Sequence, residues 1–172
     1  FVSGGVKKIG SLRKVQLKRG GKLVSELDLY QLLLHGDTSG DTKLMAGDVI
    51  FIPPIGETVA INGEVRRPAI YELRGEKTVG EALELAGGLT PEADPRLAYI
   101  ERIGSGREWV TRNIDLSAEE GKGANVANGD KIRIQRIRPT LENSVTLSGH
   151  VFRPGQFEYR DGLRLSDVIG SF

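Results

Sequence analysis

One stretch of this chain is written twice. Val59 to Leu73 reads VAINGEVRRPAIYEL, and Val145 to Tyr159 reads VTLSGHVFRPGQFEY. Gly63 aligns with Gly149, Val65 with Val151, Arg67 with Arg153 and Pro68 with Pro154, without a gap. The match runs on through Arg74 and Arg160, Val79 and Leu165, Glu81 and Asp167, and Ala82 and Val168. A repeat of this length restricts the fold to a small supersecondary unit used more than once.

The rear of the unit recurs as well. GDVIFI at Gly47 to Ile52 resembles GDKIRI at Gly129 to Ile134, LDLY at Leu27 resembles IDLS at Ile114, and Gly4-Gly5 matches Gly87-Gly88. The spacing drifts between these matches, so the loops differ in length, which closure entropy tolerates at small cost. The expected organisation is therefore one complete module over 57–138. The rear part of an earlier module occupies 1–56, and the front part of a further one occupies 139–172. The chain reads as a piece of a tandem array. In the last part, Leu163, Leu165, Val168 and Ile169 form an apolar helix face with no sheet of its own. We expect 144–172 to complete 1–54, within one chain or swapped between two, because exposed apolar faces find partners.

Local chemistry divides each module into elements. Val15 and Leu17 alternate with polar residues, and Leu23 faces them across Gly20-Gly21, a hairpin signal. Asp28 is placed to cap a helix that Gly36 ends. Ala46-Gly47-Asp48 launches a strand that Pro53-Pro54 terminates. In the complete module, Gly63 suits a tight turn between Val59–Ile61 and a second arm carrying Ile70, Tyr71 and Leu73. Thr78-x-x-Glu81 is a capping box, and Val79, Ala82, Leu83 and Ala86 follow helical spacing. Arg164 stands where that cap would recur. Tyr99–Ile103 and Trp109–Arg112 flank Gly104-Ser105-Gly106 as a hairpin, 117–128 reads as a polar loop, and 131–137 alternates as a half-buried strand. The order strand, strand, helix, strand, strand, strand is that of an α+β fold, a β-grasp, with one helix covering a small mixed sheet.

GEVRRPAIYEL, a helix ending in AGGLT, a hairpin and a terminal GDKIRI strand together resemble the SLBB module, the soluble-ligand-binding β-grasp. The first part, from SGGVKKIGSLRKVQLKRGG to LMAGDVIFIPP, is similar to bacterial polysaccharide export proteins, which carry such modules in tandem. That resemblance implies a periplasmic, outer-membrane-associated protein of capsule or exopolysaccharide secretion. It also implies self-association as a dimer or ring, contact with other export-machinery proteins, and a possible polysaccharide ligand. Any membrane attachment would come through parts outside this sequence. SLBB modules also occur in a respiratory flavoprotein subunit, where cluster-binding cysteines are expected, and in DNA-uptake proteins, where helix-hairpin-helix segments are expected. The chain has no cysteine, and no such segments are recognisable in it.

The residues themselves point away from catalysis. His35 and His150 lie in different modules, without a carboxylate constellation beside either. Asp37, Ser39, Asp41 and Asp48 fall on a calcium-loop count, but Thr42 replaces the glycine that such a loop needs. Gly121-Lys122-Gly123 lacks the ending of a phosphate loop. We expect no enzyme activity, no cofactor and no metal. With 24 Lys+Arg against 23 Asp+Glu, nothing draws the chain to nucleic acid. The candidate contact residues are Lys131 and Arg133 on a basic strand face, with Arg66, Arg67 and Arg153 for an acidic glycan or a neighbouring subunit. Tyr71 and Trp109 are candidates for stacking on sugar rings, although aromatics on strands of a small domain more often belong to the core.

Overall fold

The computed structural model describes residues 4–138 and 143–170. Two units are present, Phe1–Ile137 and Arg138–Phe172.

The first unit begins with a hairpin of β1 (Val15–Arg19) and β2 (Lys22–Leu27). Gly20 and Gly21 both take positive φ at its turn, the backbone that a two-residue hairpin demands. Asp28 caps α1 (Leu29–His35) by accepting from the amides of Tyr30 at 2.8 Å and Gln31 at 3.4 Å. Gly36 ends the helix in the left-handed conformation. Here α1 buries none of its leucines, in contrast to its apolar spacing, and Leu33 faces solvent. β3 (Val49–Phe51) then pairs antiparallel with β1, giving the order β2-β1-β3.

A five-stranded sheet follows in the same unit. Its strands are β4 (Thr58–Gly63), β5 (Ala69–Glu72), β6 (Ala93–Ile103), β7 (Trp109–Ile114) and β8 (Lys131–Arg136). Their order is β5-β4-β8-β6-β7. The central pair β4–β8 is parallel, with Ala60 opposite Lys131 and Ile61 opposite Ile132, and its neighbours are antiparallel. α2 (Val79–Leu85) crosses between β5 and β6 and carries the capping box of Thr78 and Glu81. Val59, Ile61, Val79, Ala82 and Ile132 are fully enclosed, so the core lies between α2 and one face of this sheet. Gly63 has φ +87°, and a Cβ there would lie 2.0 Å from the Ile134 carbonyl oxygen. Only glycine lets β4 run this close to β8.

Two readings of the sequence change here. β6 begins at Ala93, well before Tyr99, and accommodates Pro95 through an irregular register between Ala93 and Ala98. The stretch 117–128 is not all loop, because α3 (Glu119–Lys122) makes one helical turn there.

The second unit is small. β9 (Ser144–Leu147) and β10 (Gly155–Glu158) form a hairpin, followed by α4 (Leu165–Ile169). Arg164 has no acceptor to offer, yet Asp167 accepts from its backbone N–H at 2.9 Å, which keeps the carboxylate half of the capping box. No helix among the described residues is long and apolar enough to cross a membrane.

Candidate functional site

The first unit contains two polar constellations. One is buried, where the chain before β4 packs on the end of β5. Glu72, the last residue of β5, is almost fully enclosed. Its carboxylate accepts from the Ser11 hydroxyl at 2.8 and 3.0 Å, the Leu12 amide at 3.1 Å and the Gly56 amide at 2.9 Å. Four donor contacts satisfy a charge that would otherwise be costly in an apolar setting.

Arg13 lies beside it, also buried. Its guanidinium donates to the Glu72 carbonyl at 3.0 Å and forms ion pairs with Asp28 at 3.1 Å and Glu76 at 2.7 Å. Arg74 extends the network to Glu26 at 2.6 Å and Asp28 at 3.4 Å, and it donates to the Arg13 carbonyl. Burial opposes the charge on Arg13, but the bonds to Glu76 and Asp28 outweigh it and raise its pKa. Burial likewise pushes Glu76 up, and its hydrogen bonds from the Arg74 amide and Arg13 bring it below the ordinary value. The Tyr30 hydroxyl accepts from the Glu72 amide, and burial raises its pKa. The Tyr30 ring meets Tyr71 edge-on at 6.1 Å and lies under the Arg13 guanidinium. Every charge here has a partner, so the network is a clamp between successive stretches of chain. It offers no open position to a substrate.

The other constellation is exposed. The face of the five-stranded sheet opposite α2 carries Lys131 and Arg133 of β8. The Lys131 ammonium lies 4.0 Å from the centre of the exposed Trp109 ring. In register, Glu101 stands beside Lys131, and Tyr99 and Asn62 flank Arg133. The sheet thus brings Trp109, Lys131 and Arg133 together as an amphipathic, cation-bearing surface.

The remaining sequence candidates lie elsewhere. Tyr71 is in the core, and its hydroxyl donates to the Arg67 carbonyl at 2.5 Å. Arg67 turns to the C-terminal end of α2, where its guanidinium donates to the Leu85 carbonyl at 3.3 Å and lies against Gly87. The Arg66 side chain is exposed beside that end, and its amide donates to the Gly88 carbonyl. Arg153 is exposed in the second unit. Among the described residues, no three His, Asp or Glu side chains converge as metal ligands.

Sequence reasoning missed the clamp, apart from the capping role of Asp28. A signal was nonetheless present. Arg13, Asp28, Glu72 and Arg74 fall at the repeat positions of Arg96, Asp115, Glu158 and Arg160. A charge pattern that recurs in register from one copy of a repeat to the next marks a candidate polar joint.

Comparison with known proteins agrees with this architecture. The family model of the SLBB domain matches residues 58–111 and 144–171. The chain is 30% identical over 112 residues to the EPS I polysaccharide export outer membrane protein EpsA of Ralstonia solanacearum, which covers 63% of this chain and 29% of that protein. The EpsA of Ralstonia nicotianae matches to the same extent. ComE operon protein 1 of Bacillus subtilis is 32% identical over 100 residues, covering 54% of this chain and 49% of that protein. The chain therefore spans less than half the length of each of these relatives.

Proposed function

We propose, from a chain that carries SLBB domains and resembles polysaccharide export outer membrane proteins, that it is a non-catalytic periplasmic region of such an exporter. Its task on this reading is assembly. It holds β-grasp units in fixed orientation and presents surfaces to neighbouring subunits of the export machinery. The observation that carries the reading is the Arg13–Asp28–Glu72–Glu76 clamp. A buried, mutually satisfied polar network fixes orientation because any slippage strands a charge. A spacer needs such stiffness, whereas a catalytic site needs an accessible, incompletely satisfied group.

The test is a chimera. The matched segment of the Ralstonia solanacearum export protein is replaced by this chain, and secreted polysaccharide is measured. Restored secretion, lost again on Arg13→Met, supports the reading. A chimera that is stably made and reaches the outer membrane yet secretes nothing overturns it.

A second reading rests on the outer sheet face, where Trp109, Lys131 and Arg133 stand together. There the exported glycan itself would be the ligand, with the indole stacking on a sugar ring. Trp109 is the sole tryptophan, so its fluorescence reports this surface directly. Quenching by an acidic oligosaccharide, abolished in Lys131→Ala, favours glycan contact. An unchanged spectrum at millimolar sugar leaves the face to subunit packing.

A further inference from the structure

An open cavity of about 260 Å³ lies against β6 and β7. Ile100, Arg102, Gly104, Val110, Arg112 and Asn125 line it. The register explains the grouping. Ile100 stands opposite Arg112, and Arg102 stands opposite Val110, so these four share one face of the sheet. It is the face that carries the core, opposite the one that carries Trp109 and Lys131. Ile100 is buried and forms the floor, and the half-exposed Val110 forms a wall. The volume is at the small end of ligand sites, which suits one ring rather than a chain.

The rim is cationic. Arg102 is fixed in place, because its Nε and one Nη donate to Asp130 at 2.8 and 2.7 Å and to the Asn125 carbonyl at 3.0 Å. Among the described residues its other Nη has no acceptor, and the exposed Arg112 guanidinium has neither hydrogen bond nor ion pair. The two arginines are diagonal neighbours, about 7–8 Å apart along the backbone, and Asp130 balances only one of them. Glu108 continues the same face, but it is about 13 Å along the strand from Arg112, and its carboxylate folds over Gly104 and Gly106. The earlier copy of the repeat treats this place differently. Ser25 stands opposite Leu17 as Arg112 stands opposite Ile100, and its hydroxyl donates to the Gly40 carbonyl at 2.8 Å. The cavity there is about 140 Å³. A short side chain tied to the adjacent loop is thus exchanged for a long, free cation beside a larger cavity.

We propose that this cavity binds a carboxylate-bearing sugar, one hexuronate unit of an acidic polysaccharide. The C–H face of the pyranose lies on Ile100 and Val110, where water is displaced from apolar surface. Arg112 takes the carboxylate through two parallel N–H bonds. The free Nη of Arg102 and the Asn125 side-chain amide take ring hydroxyls. An inorganic anion would leave the apolar floor unused, and a neutral sugar would leave Arg112 without a counter-charge. The choice of a sugar to carry the carboxylate rests on the export reading, whereas the pairing of an anion with an apolar face rests on the cavity alone.

The test is a methyl-NMR titration of the full chain with the methyl glycoside of glucuronic acid, and with methyl glucoside as its neutral twin. The expected result is a saturable shift of the Ile100 and Val110 methyl signals with the glucuronide, weaker at higher salt, and none with the glucoside. Arg112→Gln, at an exposed position, lowers the affinity by about tenfold or more. Arg112→Lys restores only part of it, because an ammonium lacks the planar fork. Both variants keep the Trp109 unfolding transition of the parent. Equal binding of the two glycosides, an affinity unchanged in Arg112→Gln, or shifts confined to the Trp109 indole on the outer face would each overturn the proposal. So would the absence of binding by either glycoside, whereas the export reading fails separately, in a chimera that reaches the outer membrane and secretes nothing.

Discussion

Ser11 and Glu72 stand 61 positions apart in sequence, and the Ser11 hydroxyl donates to both carboxylate oxygens, at 2.8 and 3.0 Å. Each oxygen also takes a backbone amide, from Gly56 on one side and Leu12 on the other. A glutamine has only one acceptor oxygen, so its amino group must confront one of those N–H donors. Glu72→Gln is therefore expected to lose about 1–3 kcal/mol of stability, the cost of a buried polar group left unsatisfied. Urea denaturation followed by Trp109 fluorescence reads the loss, and a variant as stable as the parent contradicts the account.

Arg13 carries more weight, because two carboxylates depend on it. Arg13→Met keeps an unbranched apolar stem but removes the guanidinium, so Glu76 loses its ion pair at 2.7 Å and Asp28, losing its pair at 3.1 Å, is left with Arg74 at 3.4 Å. Breaking a buried ion pair from one side costs about 3–5 kcal/mol. Limited proteolysis adds a local reading, since cleavage between Pro53 and Glu57 should accelerate once the clamp is gone. A variant that melts earlier without faster cleavage there would place the loss elsewhere.

Asp48 predicts an acid dependence. Hydrogen bonds from Arg19 and then from the Met45 amide hold its pKa at about 2, well below the ordinary aspartate value. The folded pKa is depressed, so the contribution is complete above the unfolded value of about 3.9 and fades as the pH falls through about 2. The stability gap between the parent and Asp48→Asn should stay constant from neutral pH down to about 5, then close between about 4 and 2. Urea midpoints measured across that range decide it. A gap undiminished at the acid end would remove Asp48 as the titrating group.

What the sequence discloses and what it conceals follow from the range of each interaction. The Asp28 and Thr78 caps and the Gly20-Gly21 turn are local chemistry, and each stands where its residues point. α3 was hidden because Gly121 within it and the flanking Gly123 read as loop, although Gly121 is required where the turn packs on the Asp115 backbone. The length of β6 was hidden because Pro95 reads as a strand breaker until the irregular register absorbs it. Tyr71 was legible only in part. β5 alternation assigns it one face, but Tyr71 and Glu72 are both buried because the strand ends against the clamp. The clamp was missed because periodicity arguments count apolar residues, and its members are charged.

Gly63 and Gly149 allow one last comparison, between a glycine pressed against a neighbouring strand and its repeat counterpart with open space around it. An alanine at either site adopts a left-handed backbone, at a cost of about 1–2 kcal/mol. At Gly63 the methyl group also meets the Ile134 carbonyl oxygen at 2.0 Å and forces β4 from β8, adding about 1–3 kcal/mol of overpacking. Gly63→Ala should therefore shift the Trp109 transition to markedly lower urea. Gly149→Ala should leave that transition unmoved, because nothing lies within 4 Å and the residue belongs to the second unit. Urea midpoints of the two variants decide it, and equal shifts for Gly63→Ala and Gly149→Ala would contradict the role given to the β4–β8 approach.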